Sequence, residues 1–195
     1  MKKAMGLRQR QRLTAMRLVQ GTAIDLFERN GYDDTTIGAI SAASGVSTAT
    51  IYRHFGNKET IVLWDEFDGT IDAELAHRLV EQPPLEAFRD AAVAAYGQRD
   101  DTDLLLRRLK LVYGHPSILG VAAQNEATNR SELATALALI DGRDAPGIAD
   151  DVTAAIALAT LDVAFTRWQD AHGDQPIAKV INESFAAASK PPAHQ

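Results

Sequence analysis

The sequence predicts an all-α protein of about nine helices, and three observations predict it. Apolar residues recur at spacings of three and four, as in Met16, Val19, Ala23, Leu26 and Phe27. Period-two runs of β-branched residues are absent. Alanine clusters such as Ala91-Ala92 and Ala154-Ala155 suit close helix packing. A hydrophobic content of 46% over 195 residues supports a substantial core in one large or two small domains.

The first helix is expected from Leu7 or Gln9 to Asn30, with its apolar stripe turned inward and Gly31 ending it. A second runs from about Thr36 to Ser44. Thr35 or Thr36 can accept from the bare N–H groups of its first turn, Ile37 and Ile40 face inward, and Gly45 supplies the left-handed stop. Val46 follows as a buried plug, and Ser47 caps a third helix ending at Phe55, with Ile51 and Phe55 inward. Thr48, Ala49, Thr50, Tyr52, Arg53 and His54 are left for its remaining surface. Two short helices around a tight turn are the layout of a helix-turn-helix, whose second helix enters a DNA major groove.

After the Gly56-Asn57 turn a long helix is expected from Lys58 to about Val80, with Gly69 as its weak point. Pro83-Pro84 separates it from a helix carrying Leu85, Phe88, Ala92 and Ala95. Gly97 and Asp100-Asp101 mark a break before the Leu-rich segment 104–113, which Gly114-His115-Pro116 ends. Residues 117–140 read as one helix and 141–147 as a loop. The helix over 148–171, with Val152, Ile156, Ala159, Val163, Phe165 and Trp168, is apolar nearly all round, more than the end of a small chain can cover alone. Pro176 opens a last helix with Ile177, Val180, Ile181 and Phe185 as its stripe. The expected division is a helix-turn-helix domain over 1–57, a helical domain over 58–190 and a disordered tail over 191–195.

Net charge is −6, which by itself argues against a nucleic-acid partner. Its distribution reverses that. Residues 1–60 hold nine Lys/Arg against five Asp/Glu, a net of +4, and the remainder carries −10. Lys2, Lys3, Arg8, Arg10, Arg12 and Arg17 occur with no acid among the first 20 residues. A polyanion is drawn to one end and repelled by the other. With no cysteine there is neither disulfide nor thiolate chemistry. No apolar run reaches membrane-spanning length, and the basic N-terminus lacks a signal-peptide core, so a cytoplasmic protein is expected.

Gly31-Tyr32, Thr35-Thr36-Ile37, Ile40, Ala43, Gly45-Val46-Ser47, Thr50-Ile51-Tyr52, His54-Phe55 and Lys58-Glu59 together resemble the N-terminal signature of the TetR family of transcriptional regulators, over roughly residues 12–62. Residues 64–68 and the helices after them are similar to regulators of the mycofactocin system. The resemblance implies a homodimer built through the last two helices, binding a palindromic double-stranded DNA operator, and repression relieved by a small, largely apolar effector. It implies that Tyr52, His54 and Lys58 hold the phosphate backbone, while Thr36 offers a hydroxyl and a helix N-terminus to phosphate. Ser47, Thr48, Ala49 and Thr50 open the helix that points at base edges, where threonine hydroxyls and methyls can read bases. That turn has no Arg, Lys, Asn or Gln, so bidentate reading either comes from elsewhere, with Arg53 a candidate, or is weak. Gly38 stands where some relatives place a base-reading side chain, and nothing carries over there.

Trp64, Phe67, Ile71, Phe88, Leu104, Leu105, Leu109 and Tyr113 are expected either to line an effector cavity or to be plain core. Arg107 and Arg108 flank the Leu-rich helix, either solvated or facing an anionic head group. Glu74 and His77 have the spacing of a di-metal carboxylate bundle, but its second Glu-x-x-His is missing. The five histidines include no i, i+4 pair, and there is no phosphate-cradling glycine loop or nucleophile elbow. No enzyme activity, metal or cofactor is expected. The competing readings are a helical enzyme or metal bundle, and a DNA-binding protein that needs no ligand. Deleting residues 1–8 removes three cations that cannot read sequence by themselves. The deletion should weaken operator and random duplex alike. It should also flatten the salt dependence by up to about 0.9 for each phosphate no longer neutralised, measured by titration across a salt series.

Overall fold

Leu7–Asn30 forms α1, and nine more helices follow: α2 (Ile37–Ser44), α3 (Thr48–Phe55), α4 (Lys58–Leu63), α5 (Asp68–Arg78), α6 (Pro84–Tyr96), α7 (Thr102–Gly114), α8 (Pro116–Ile140), α9 (Ile148–Asp170) and α10 (Ile177–Ala188). The computed structural model describes residues 6–66, 68–97 and 101–190, and no strand occurs among them. The expected tail over 191–195, together with Lys2 and Lys3, lies outside the described residues.

Two hydrophobic cores organise the chain. The first joins Met16, Val19, Ala23, Ile24 and Phe27 of α1 to Tyr32, Ile37, Ile40, Ile51 and Phe55. Ile61 and Val62 of α4 and Ile118 of α8 also belong to it, so this core continues past residue 57. The second is built from α5 to α10, with Phe88, Leu105, Leu109, Leu161, Trp168, Ile181 and Phe185 among its members. α7 belongs to both: Leu105 and Leu109 enter the second core, while Leu111 and Val112 enter the first. Trp168, expected to need a second chain, is 2% exposed and donates from Nε1 to Gln175 O at 2.7 Å. Phe165 packs edge-on against Tyr96, ring centroids 4.9 Å apart, within the same chain.

The long helix expected over 58–80 is instead two helices, which is why ten are found. The break falls at residues 64–66, not at Gly69. Its cause is tertiary. The Gln20 side-chain amide of α1 donates to Ile61 O at 2.8 Å and Trp64 O at 2.6 Å. Arg108 of α7 donates to Trp64 O at 2.9 Å and pairs with Asp65 at 2.6 Å. In a continuous helix those carbonyls would accept from amides four residues on, and side chains inserted into that ladder end it. Arg107 is likewise paired across helices: it reaches Asp25 at 2.5 Å and Glu28 at 2.6 Å on α1.

Before α9 the loop is pinned by Arg143, whose guanidinium grips Asp150 through both oxygens at 2.5 and 2.7 Å. The Asp150 carboxylate also accepts from Gly147 N–H at 2.7 Å, closing the helix start. Arg143 first, then the backbone of Gly147, draw that carboxyl from its ordinary 3.8 to about 2. A depressed carboxyl contributes stability that is complete above its unfolded pKa and is lost as pH falls through the folded one. The wild type should therefore lose stability between about pH 4 and pH 2 through this group, and Arg143→Met should flatten that limb of the stability–pH curve measured by urea melts.

Candidate nucleic-acid interface

The α2–α3 unit is defined by local chemistry. Thr36 caps α2, its hydroxyl accepting from Ala39 N–H at 3.1 Å. Gly45 takes the left-handed conformation at φ 71°, ψ 5°. Ser47 caps α3 by accepting from Thr50 N–H at 3.3 Å, and Asn57 caps α4 by accepting from Thr60 N–H at 2.8 Å. Ile40 and Ile51, both fully buried, lock the two short helices onto α1.

With Ile51 and Phe55 buried, the outward face of α3 is Thr48, Ala49, Tyr52 and Arg53, all exposed. Thr50 is not on it. It is half-buried and lies in the seam between α1 and α3 with Met16, Val19 and His54. Its hydroxyl accepts from Ser47 Oγ at 3.0 Å. The packing of α1 explains this: Thr50 and Tyr52 both lie one residue from Ile51, and α1 covers the flank of Thr50 while leaving Tyr52 in water. His54 occupies the same flank, and burial first, then the charges of Arg12 and Arg53, hold its imidazole below the ordinary value. Thr36 and Ser47 are exposed at the two helix starts.

Lys58 plays a part the sequence did not suggest. Its ammonium donates to Tyr32 O at 2.8 Å and Asp33 O at 3.4 Å and sits 4.5 Å from the centre of the Tyr32 ring. Tyr32 in turn packs at a tilt against Phe27 and against His115 at the start of α8, each centroid 4.9 Å away. Burial first, then Glu59, push its phenol pKa up. Along α1 the first buried side chain described is Met16, so Arg8, Arg10 and Arg12 are exposed on helical turns ahead of the core.

Comparison with known proteins identifies this arrangement. Residues 21–63 match the profile described as "Bacterial regulatory proteins, tetR family", and residues 82–191 match the one described as "MftR C-terminal domain". The chain belongs to the TetR family. It is 32% identical over 149 residues to the HTH-type transcriptional regulator TcmR of Streptomyces glaucescens, covering 71% of this chain and 66%, just under two thirds, of that one. It is 23% identical over 184 residues, 92% of this chain and 89% of the other, to MftR of Mycobacterium tuberculosis, a protein named for transcriptional regulation of mycofactocin biosynthesis. A solved protein from Syntrophomonas wolfei assigned to the TetR family superposes with a TM-score of 0.60 at 20% identity, over 94% of this chain and 99% of that one. The TetR-family match makes the protein a DNA-binding transcriptional regulator, a class of proteins that are not enzymes.

The expected effector-lining residues of this TetR-family chain do not gather around one space. Trp64 belongs to the N-terminal core, edge-on to Phe55 at 6.0 Å. Phe88 faces Phe185 at 6.1 Å, and Leu105 and Leu109 are packed core. Tyr113 is half-buried and donates its hydroxyl to Asp162 at 2.8 Å. Phe67 lies outside the described residues. Glu74 pairs with Arg78 at 3.2 Å, and no group of three His, Asp or Glu able to hold a metal occurs among the described residues. No described helix is long and apolar enough to cross a membrane.

Gln20 was missed, though it carried a signal: it lies four residues after Met16 and three before Ala23, so a polar side chain sits on the apolar stripe.

Proposed function

We propose that the protein is a homodimeric repressor: residues 1–57 of each protomer read one half of a palindromic operator, residues 58–190 form the dimer, and a small, largely apolar effector releases the DNA. The observation that carries this reading is the outward face of α3, where Thr48, Ala49, Tyr52 and Arg53 stand clear of the core next to exposed arginines on α1. Thr48 and Ala49 suit base edges, Arg53 suits guanine or phosphate, and Tyr52, Thr36, Ser47 and His54 suit the backbone on either side. Thr50 acts chiefly by holding the α3 cap, and Lys58 by anchoring the α1–α2 connection beside phosphate.

Dimerisation through α9 and α10 is supported by exposed apolar surface. Ile148, Val152, Ile156, Ala159 and Val163 are exposed on α9 at intervals of four, four, three and four, a continuous stripe, with Leu139 and Ile140 exposed at the end of α8. Water-exposed stripes of this kind mark a partner surface. α10 turns Ile177, Ile181 and Phe185 inward, so α9 contributes most of the apolar contact. The effector reading rests on the family and on the apolar core around Phe88, Leu105 and Leu109. Because that core is packed, the effector must select a conformer that opens it, and DNA affinity falls by the difference in effector affinity between the two conformers.

The test is enrichment from a random duplex pool, together with sedimentation. The wild type should sediment as a dimer and enrich a two-fold symmetric sequence; failure to enrich any sequence over random duplex would remove the reading. Val163→Glu should sediment as a monomer and lose operator binding, whereas a charge at Phe165 should lower the melting temperature instead. Thr48→Ala should reduce discrimination at one or two base pairs per half-site by about 1 kcal/mol each and leave random binding intact. Lys58→Ala should weaken all duplexes together, and Thr50→Ala should cost stability rather than discrimination.

A further inference from the structure

A buried cluster of polar side chains lies where the DNA-binding core and the C-terminal core meet. Gln20 comes from α1, the carbonyls of Ile61 and Trp64 and the Asp65 carboxylate from the end of α4, and Arg108 from α7. Arg108 and Asp65 are 8% and 6% exposed. Leu111, Val112 and Ile118 add buried apolar packing, which is non-directional, and the other polar ties between the lobes are wetter. Arg107 and its partners on α1 are 27–50% exposed, and the Arg17 partner of Glu66 is 58% exposed. Exposed pairs are screened and shift at little cost, whereas a buried pair that separates strands two charges away from water. The buried cluster therefore tolerates one relative placement of α4 and α7.

The break it maintains has no local cause. Residues 58–80 contain no proline, and their one glycine is Gly69. What marks it instead is that the carbonyls of Ile61 and Trp64 accept from the side chains of Gln20 and Arg108. Turning an unwound stretch into helix rotates what precedes it by about 100° per residue and shortens it by up to about 2 Å per residue, so the state of this junction determines where α3 points.

We propose that Arg108, acting with Asp65 and Gln20, is the positioning group that fixes the angle of the helix-turn-helix on the C-terminal domain and thereby selects the half-site separation a dimer reads. This rests on the dimeric operator-binding reading above and adds a residue-level determinant of spacing to it. None of the three side chains touches DNA: they act through the placement of α3, so they alter which separation is preferred and not which half-site is read.

The variant is Asp65→Leu with Arg108→Met, which removes both charges and leaves neither orphaned; Gln20→Met carries the same expectation should the double variant lose its cooperative melt. Wild type and variant are each used to enrich sequences from a pool of duplexes with about 40 random base pairs, long enough for half-sites one, two or three turns apart. The wild type should enrich one separation. The variant should enrich the same half-site with the separation shifted by a base pair or more, or spread over several. The same half-site at the same single separation would overturn the proposal.

A second measurement needs no DNA. The chain has no cysteine, so Arg53→Cys on α3 and Glu132→Cys on α8 give unique labelling sites. Doubly spin-labelled protein diluted into unlabelled protein then reports one distance distribution. It should shift or broaden in the double variant, and an unchanged distribution would also overturn the proposal. If the wild type enriches no sequence, the operator-binding reading falls, while the distance measurement still decides whether the cluster sets the angle.

Discussion

The carbonyls at the end of α4 lie inside the protein and must find donors, and much of the architecture follows from how they find them. A helix leaves its last carbonyls without partners, and burying them bare costs free energy comparable to a lost hydrogen bond. Here no turn or glycine cap supplies the donors. They come from Gln20, on the helix that carries the DNA-binding core, and Arg108, on a helix shared by both cores. Satisfying them therefore ties the two halves of the chain together, and the cost of leaving them bare makes that tie geometrically demanding.

Charge acts on a longer scale. The protein is acidic overall, yet its cations are concentrated where α1 and α3 are exposed, and its excess of acid lies in the remaining helices. An approaching duplex is attracted by one end and turned away from the other. The exposed side chains of α3 then provide short-range reading: two small side chains, a phenol and a guanidinium. The modest inventory of hydrogen-bonding groups makes the shape and spacing of the site a larger share of its recognition than in a helix rich in Arg and Asn.

α9 illustrates how burial differs from hydrophobicity. Its sequence is apolar nearly all round, but its faces have different fates. Ala154, Ala157, Leu161, Ala164 and Trp168 are buried in their own chain, while Ile148, Val152, Ile156 and Val163 are left in water. α8 and α10 lean on the first set and leave the second as a stripe, and Arg143 holds the preceding loop to the helix start.

The sequence by itself determined the helix-turn-helix, because everything that defines it lies within about four residues of what it acts on. Thr36, Ser47 and Asn57 cap the helices they precede, Gly45 turns the chain, and Ile51 and Phe55 mark the buried side. Which flank of α3 would be covered, that of Thr50 and not that of Tyr52, was decided by how α1 packs against it. Tertiary structure alone decided the break after α4, since its donors come from positions more than forty residues away. It also decided that Lys58 serves Tyr32, that Arg107 and Arg108 join helices, and that Trp64 and Phe88 belong to different cores. Helical spacing says which residues share a face, but which neighbour covers that face, and whether a long cation meets solvent, ligand or carboxylate, depends on contacts between segments that no local pattern encodes.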